Sequence, residues 1–307
     1  MTPKKKKILI TGACGGLACE LSKVLCDDYE LVGIDPRSEK SDTKFIGELH
    51  QSHYRSRKVD EVFRKHHFDA FFHLGRVPVT SGVGRNARYS ENVLGTKHLL
   101  DLSSRHEIPT LVVMSTFHVY GAHPHNPLYL HEDDSLRATQ RIPELSDAME
   151  LDHLATEFGL THKGETIILR PTNVIGRKIS NVVSQLLRMP WLPTPLGYDP
   201  PLQMLHQSDL IRAFTEILKN PQKGTYNLAG PGSVPLSEIL KLKKIQKIPV
   251  PDFLIKSLLS QIPAKSFKVP TYMVDYFKFP TLMDNSKFKE IYNFEYEHSL
   301  VASLENL

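Results

Sequence analysis

Surplus charge is one thing this 307-residue sequence lacks: 38 Lys and Arg against 34 Asp and Glu leave +4, which Lys4 to Lys7 alone supply. That run reads as a solvated tail, and the body of the chain has no basic stripe interleaved with aromatics, so nucleic acid is not an expected partner. Cysteine is scarce as well. Cys14, Cys19 and Cys26 are an odd, crowded set, unlike the even framework of a small secreted domain, and point to a reducing compartment. Long apolar runs are missing: no window approaches the roughly 18 residues of a membrane span. Only Ile8 to Ile10 follow the basic start, too little for the core of a signal peptide. The expected location is cytoplasmic. No internal repeat or low-complexity segment is present.

What is present is an ordinary globular balance, 40% hydrophobic and 23% charged, in a chain long enough for about two domains. Short apolar runs alternate with helix-period segments, the pattern of a parallel sheet with crossover helices, giving an α/β, doubly wound fold class. Strands are predicted at 7–11, 30–35, 44–47, 69–74, 110–115 and 165–170. Leu17, Leu21, Val24 and Leu25 share one helical face. A longer helix is expected after Tyr89, and another from Pro143 to about Phe158. Beyond Pro171, five prolines between 190 and 201 forbid regular helix or central strand. A capped helix over 208–220 and a strand over 224–228 follow.

The segment from Ile8 to Ala18 turns a strand into a helix around glycines. Gly12 permits the tight turn, Gly15 lets the backbone approach a pyrophosphate, and a helix starting near Gly16 aims its free N–H groups at that anion. Asp35 ends the next strand 20 residues after Gly15, where a carboxylate accepts hydrogen bonds from an adenosine ribose. Its charge repels a 2′-phosphate, so NAD is expected over NADP. Arg37, two residues on, is the group able to accommodate that phosphate. Cys14 reads as a small residue filling the turn, although the helix N-terminus offers a route to a lowered thiol pKa.

With that turn in place, further segments resemble the extended short-chain dehydrogenase/reductase family, the NAD-dependent epimerases and dehydratases. Phe68 to Gly75 resembles its DVVFHLAA strand, Glu91 to Thr96 its NVxGT helix, and Met114 to Gly121 its SSxxVYG strand end. Leu169 to Gly176 resembles LRPxNVYG, Leu205 to Asp209 HVDD, and Thr225 to Leu228 YNLG. The resemblance implies a Rossmann domain over 1–175, rejoined by 203–222, and a smaller substrate-binding region over 176–307. It also implies a cofactor set of Gly12, Cys14, Gly15, Gly16, Leu17, Asp35, Arg37, Glu48, Leu49, Leu74, Gly75, Arg76, Ser115 and Pro171, with Glu48 and Leu49 at the adenine. Asn173 and Arg177 would meet substrate, while Asn92 would support the sheet. Arg76 departs from the family's small residue. Contact with a phosphate, contact with substrate and an outward-folded side chain all remain open for it.

The family's chemistry resides in a Tyr/Lys pair on the helix after the VYG segment, and this chain has Leu145 and Met149 in the matching register. Neither can carry a proton. The YxxxK at Tyr54 and Lys58 reads as chance. Thr116 keeps the family's hydroxyl position, and the dehydratases' Asp-Glu couple is replaced by Phe117 and His118. Thr116 and His118 are therefore the catalytic candidates, with His118 read equally as an acid/base and as a strand-end imidazole satisfied by backbone. Asp152 is considered, and set aside, as a displaced acid.

Three further readings complete the set. His123, His125 and His131, with Glu132, Asp133 and Asp134, are expected to form a solvated loop and not a metal centre. The apolar residues of 253–262, flanked by lysines including Lys256, Lys265 and Lys268, are expected to face the core and not a membrane surface. By analogy with the family, Val93, Leu99, Leu151 and Leu154 are candidate homodimer contacts. Two functional readings result: an NAD(H)-binding sensor, regulatory or binding protein with a degenerate catalytic site, and a noncanonical oxidoreductase or epimerase acting on a nucleotide-sugar-like substrate.

Overall fold

The computed structural model describes residues 5–41, 43–138, 142–261 and 269–305. Lys4, Ile262, Lys265 and Lys268 lie outside them. Seven parallel strands form the central sheet: β1 (Lys6–Thr11), β2 (Tyr29–Asp35), β3 (Glu48–Gln51), β4 (Ala70–His73), β5 (Thr110–Met114), β6 (Glu165–Pro171) and β7 (Gly224–Leu228). Their spatial order is β7-β6-β5-β4-β1-β2-β3. The order reverses at β1, where β2 lies on one side and β4 on the other, leaving a crevice at the C-terminal strand ends.

Side chains alternate across each strand. Ile8, Ile10, Phe72, Val112, Ile167 and Leu169 enter the core on one face. There they meet α1 (Gly16–Leu25) and α6 (Gln207–Lys219, Phe214). Leu9, Phe71, Leu111, Val113 and Ile168 enter the other core, which holds α2 (Arg57–Lys65), α4 (Thr96–Arg105) and α5 (Ser146–Thr161). A third core, containing Leu145, Met149 and Tyr272, lies between the sheet's C-terminal edge and the later part of the chain.

The expected strand at 44–47 does not form; β3 begins at Glu48. Gly47 has φ 150°, and a Cβ there would lie 2.4 Å from the Leu31 carbonyl oxygen. Phe45 meanwhile packs beside Gly33, so its apolar side chain fills the space over β2 instead of a ladder position. The helix expected after Tyr89 starts earlier, as α3 (Arg85–Tyr89), and runs through a π turn at Ser90–Gly95 into α4. The cap of α6 is His206, whose Nδ1 accepts from the Ser208 N–H.

The chain's return to the sheet extends beyond 203–222, because β7 is the seventh strand and Phe288, Tyr292 and Phe294 pack beneath it. In α7 (Asp252–Gln261) Ile255 and Leu259 face the core, while Phe253, Leu254 and Leu258 are exposed. Val93, Leu99 and Leu151 are buried within the single chain, Leu99 and Leu151 in the core that α4 and α5 form on the sheet, so they offer no surface to a second copy. Among the described residues no helix is long and apolar enough to cross a membrane.

Candidate functional site

The glycine turn follows β1. Gly12 adopts φ 72°, and a Cβ on it would lie 2.6 Å from Gly75 Cα, so the turns after β1 and β4 touch backbone to backbone. Gly15 caps α1 without a side-chain hydrogen bond, which leaves the helix's first N–H groups for an anion. A Cβ on Gly16 would meet the Lys178 carbonyl, so the loop after Gly176 lies directly on the start of α1.

Asp35 is fully buried. Its carboxylate accepts from the Cys14 N–H at 2.9 Å, the Arg37 N–H at 2.9 Å, and Arg37 Nε and Nη2 at 2.9 and 2.8 Å. Four donors fill the lone-pair sites of two oxygens, so a ribose hydroxyl reaches Asp35 only as the Arg37 guanidinium turns aside. Burial pushes the Cys14 thiol up to about 11, overriding any pull from the helix end. Native protein treated with a thiol reagent at neutral pH is expected to show one fast cysteine of three, Cys26, since Cys14 and Cys19 are buried. A rapid second equivalent would overturn this.

Glu48 and Leu49 start β3, away from the strand end that carries Asp35. Parallel register sets Glu48 opposite Val32 and Gln51 opposite Asp35, so Glu48 lies at the far edge of the sheet, bonded to Lys65 at 2.8 Å. Gln51 lies opposite Asp35, and the Ser52 N–H donates to the Asp35 carbonyl at 2.9 Å. The register with β2 is the signal that locates them. Tyr54 is buried against the glycine turn, close enough that a Cβ on Gly75 would strike its hydroxyl. Burial raises its pKa far above the ordinary phenol value, so it holds shape and moves no proton.

A cavity of about 310 Å³ opens beside this turn. Leu17, Leu74, Arg76, Ser115, Thr116, His118, Leu145, Pro171 and Asn173 line it, joined from the end of the chain by Tyr272, which no sequence motif marks. Arg177 is exposed and outside the lining. The Ser115 hydroxyl is turned away, donating to Asp152 at 2.5 Å. Asp152, fully buried, is also held by Arg170 through Nε at 3.0 Å and Nη2 at 2.7 Å, which accounts for its not serving as a displaced acid.

Leu145 and Met149 are buried in the third core, and Leu145 faces the cavity. Thr116 Oγ1 lies 2.9 Å from His118 Nδ1. The imidazole is enclosed by Phe117, Tyr272 and Tyr276, and burial holds its pKa down at about 3. It is neutral at physiological pH and is a poor acid or base. Among the described residues the ring is bonded through Nδ1 alone, to Thr116, while the backbone carbonyl accepts from the Tyr276 hydroxyl at 2.9 Å. Asn92 braces the wall above: its amide donates to the Val77 carbonyl at 2.9 Å and accepts the Val77 N–H at 2.8 Å.

The histidine-containing loop is tied down more than its composition implies. The Glu132 carboxylate accepts the Asn227 N–H at 2.8 Å, and its carbonyl accepts from Arg170 at 2.9 Å.

A parallel sheet reversing at β1, a glycine turn touching the β4 turn, and an acidic residue ending β2 define a dinucleotide-binding α/β protein of the Rossmann type. The chain belongs to the NAD dependent epimerase/dehydratase family, whose model matches residues 8–229. An uncharacterised protein of Mycobacterium tuberculosis is 26% identical over 296 residues, covering 92% of this chain and 78% of that protein. The dTDP-D-glucose 4,6-dehydratase of Dictyostelium discoideum is 23% identical over 251 residues, 73% of this chain and 58% of its own. Among solved structures, the UDP-glucuronic acid 4-epimerase of Bacillus cereus, in complex with UDP-glucuronic acid and NAD, superposes with a TM-score of 0.76. It is 17% identical and covers 98% of this chain and 97% of that one. The UDP-glucose 4-epimerase of Thermotoga maritima, with UDP-glucose, gives 0.75 at 18% identity, covering 97% and 96%. These likenesses bear on the fold.

Proposed function

We propose that this protein binds NAD(H) at the glycine turn and a small nucleotide-linked ligand in the adjoining cavity, as a sensor, regulatory or binding protein without Tyr/Lys hydride chemistry. One observation carries the reading: Leu145 and Met149 stand buried where the family's proton carrier and its partner are expected. Bound NAD supplies a hydride acceptor or donor. The chain's own groups do the rest of the work of binding. Gly12 and Gly15 let the backbone approach, the start of α1 offers N–H groups to the pyrophosphate, and Asp35 and Gln51 flank the adenosine. The buried Asp35 carboxylate disfavours a 2′-phosphate.

The test is calorimetric titration of nucleotide-stripped protein with NAD+, NADH and NADPH. Saturable NAD(H) binding, with NADPH weaker, is expected; no binding to any of the three would sink the proposal. A second reading, a noncanonical oxidoreductase or epimerase on a nucleotide-sugar-like substrate, draws on the Thr116 hydroxyl, which still lines the cavity. A change in the near-ultraviolet absorbance of bound NADH on mixing with nucleotide sugars would favour it over the first.

A further inference from the structure

The charged groups around the cavity do not balance. Two residues of its lining carry charge, Arg76 and Asp147. The Asp147 carboxylate is already matched: it accepts from Arg88 Nε at 2.9 Å and from the Asn92 amide at 2.5 Å, all three residues being buried. Arg76 is not matched. No ion pair or hydrogen bond engages its guanidinium among the described residues, although it is half-buried beside the apolar side chains of Leu74, Val77 and Leu145. A guanidinium drawn partly out of water without an acceptor is costly, and in a concave site it is the feature expected of a surface awaiting an anion.

Two more unspent polar groups share the wall. His118 Nε2 is buried with no hydrogen-bond partner, and the Tyr272 ring stands against the same imidazole, centroids 5.9 Å apart. No hydrogen bond engages the Tyr272 hydroxyl among the described residues. Arg76 lies near enough to both to oppose protonation of His118 and to work against the burial that raises the Tyr272 phenol to about 12. Arg76, His118 and Tyr272 thus share the lining of one cavity. Asn92, through its paired bonds to Val77, fixes the backbone next to Arg76.

We infer that the cavity takes a carboxylate-bearing ligand, its carboxylate paired with Arg76 and flanked by His118 Nε2 and the Tyr272 hydroxyl. A carboxylate suits one guanidinium in both charge and planar, two-point geometry. The inference rests on the ligand-binding function proposed above and specifies what that ligand carries. It also gives a role to the replacement of the family's small residue by arginine.

The test uses NAD-saturated protein and two probes that differ at one carbon of the sugar, UDP-glucuronate and UDP-glucose, titrated by calorimetry. The expected result is at least about tenfold tighter binding of the glucuronate. The Arg76→Met variant, which keeps the length and apolar contacts of the stem, is expected to abolish that preference while NAD affinity stays within about threefold. Equal affinities in the wild type, or binding of neither probe to NAD-loaded protein, would overturn the inference. So would a variant whose main defect is NAD affinity, since Arg76 would then serve the dinucleotide's own phosphates. Failure of the wild type to bind NAD refutes the function proposed above instead, and the charge preference is then read on the dinucleotide-free protein.

Discussion

Gly12→Ala is expected to lower the unfolding free energy by roughly 2–5 kcal/mol, from a left-handed backbone costing about 1–2 kcal/mol and overpacking costing about 1–3. The two contributions can be separated within this chain. Gly82 has almost the same backbone, φ 74° against 72° at Gly12, yet a Cβ there meets nothing within 4 Å. Gly82→Ala therefore bears the conformational cost alone, while Gly12→Ala also drives a methyl into the Gly75 backbone. In urea unfolding the Gly12 variant should show much the larger fall in midpoint, at unchanged slope, and should lose NAD binding with it. Equal midpoints for the two variants would show that the β1 and β4 turns do not press together as described.

The second large effect concerns Arg170. Arg170→Met leaves the Asp152 carboxylate buried without its cation, a change that costs about 3–5 kcal/mol in such settings. It also takes a donor from the Tyr120 hydroxyl, at 2.9 Å, and from the Glu132 carbonyl. The informative companion is the double variant Arg170→Met, Asp152→Leu, which removes both charges and replaces them with apolar volume. It should recover most of the loss, because the penalty lies in an unpaired buried charge and not in the absence of the pair. A double variant as unstable as the single one, measured by the same denaturant titration, would contradict that account.

Most of the sheet was legible because its strands are apolar on both faces. Ile8 to Ile10 and Leu111 to Val113 read as continuous runs, and both faces are indeed covered. The strand β3 was not legible. Its sequence, Glu-Leu-His-Gln, is a polar edge strand, whereas the apolar Phe45 and Ile46 just before it signalled a ladder they do not join. That shift of a few residues puts Gln51, and not Glu48 or Leu49, opposite Asp35 at the C-terminal end of β2. The glycine turn and Asp35 were readable because backbone geometry demands particular residues there. Tyr272 was not, because only tertiary packing brings a residue so far along the chain to the wall that Thr116 begins. The charge state of His118 was equally hidden, since burial decides it and no local pattern announces burial.

The seventh strand has a bearing on how the molecule can be assembled. β7 pairs with β6 along its whole length, Gly224 opposite Ile167 and Leu228 opposite Pro171, yet the cavity-lining residues Asn173, Val174 and Ile179 to Val183 are translated between them. A nascent chain released only as far as that stretch presents β6 as an open hydrogen-bonding border, available to any other extended segment. Synthesis must proceed past Leu228 before the border is sealed, and further still, to Tyr272 and Met273, before the cavity wall is complete. The order makes closure of the sheet a step that precedes completion of the ligand region, and ties the two halves together in folding.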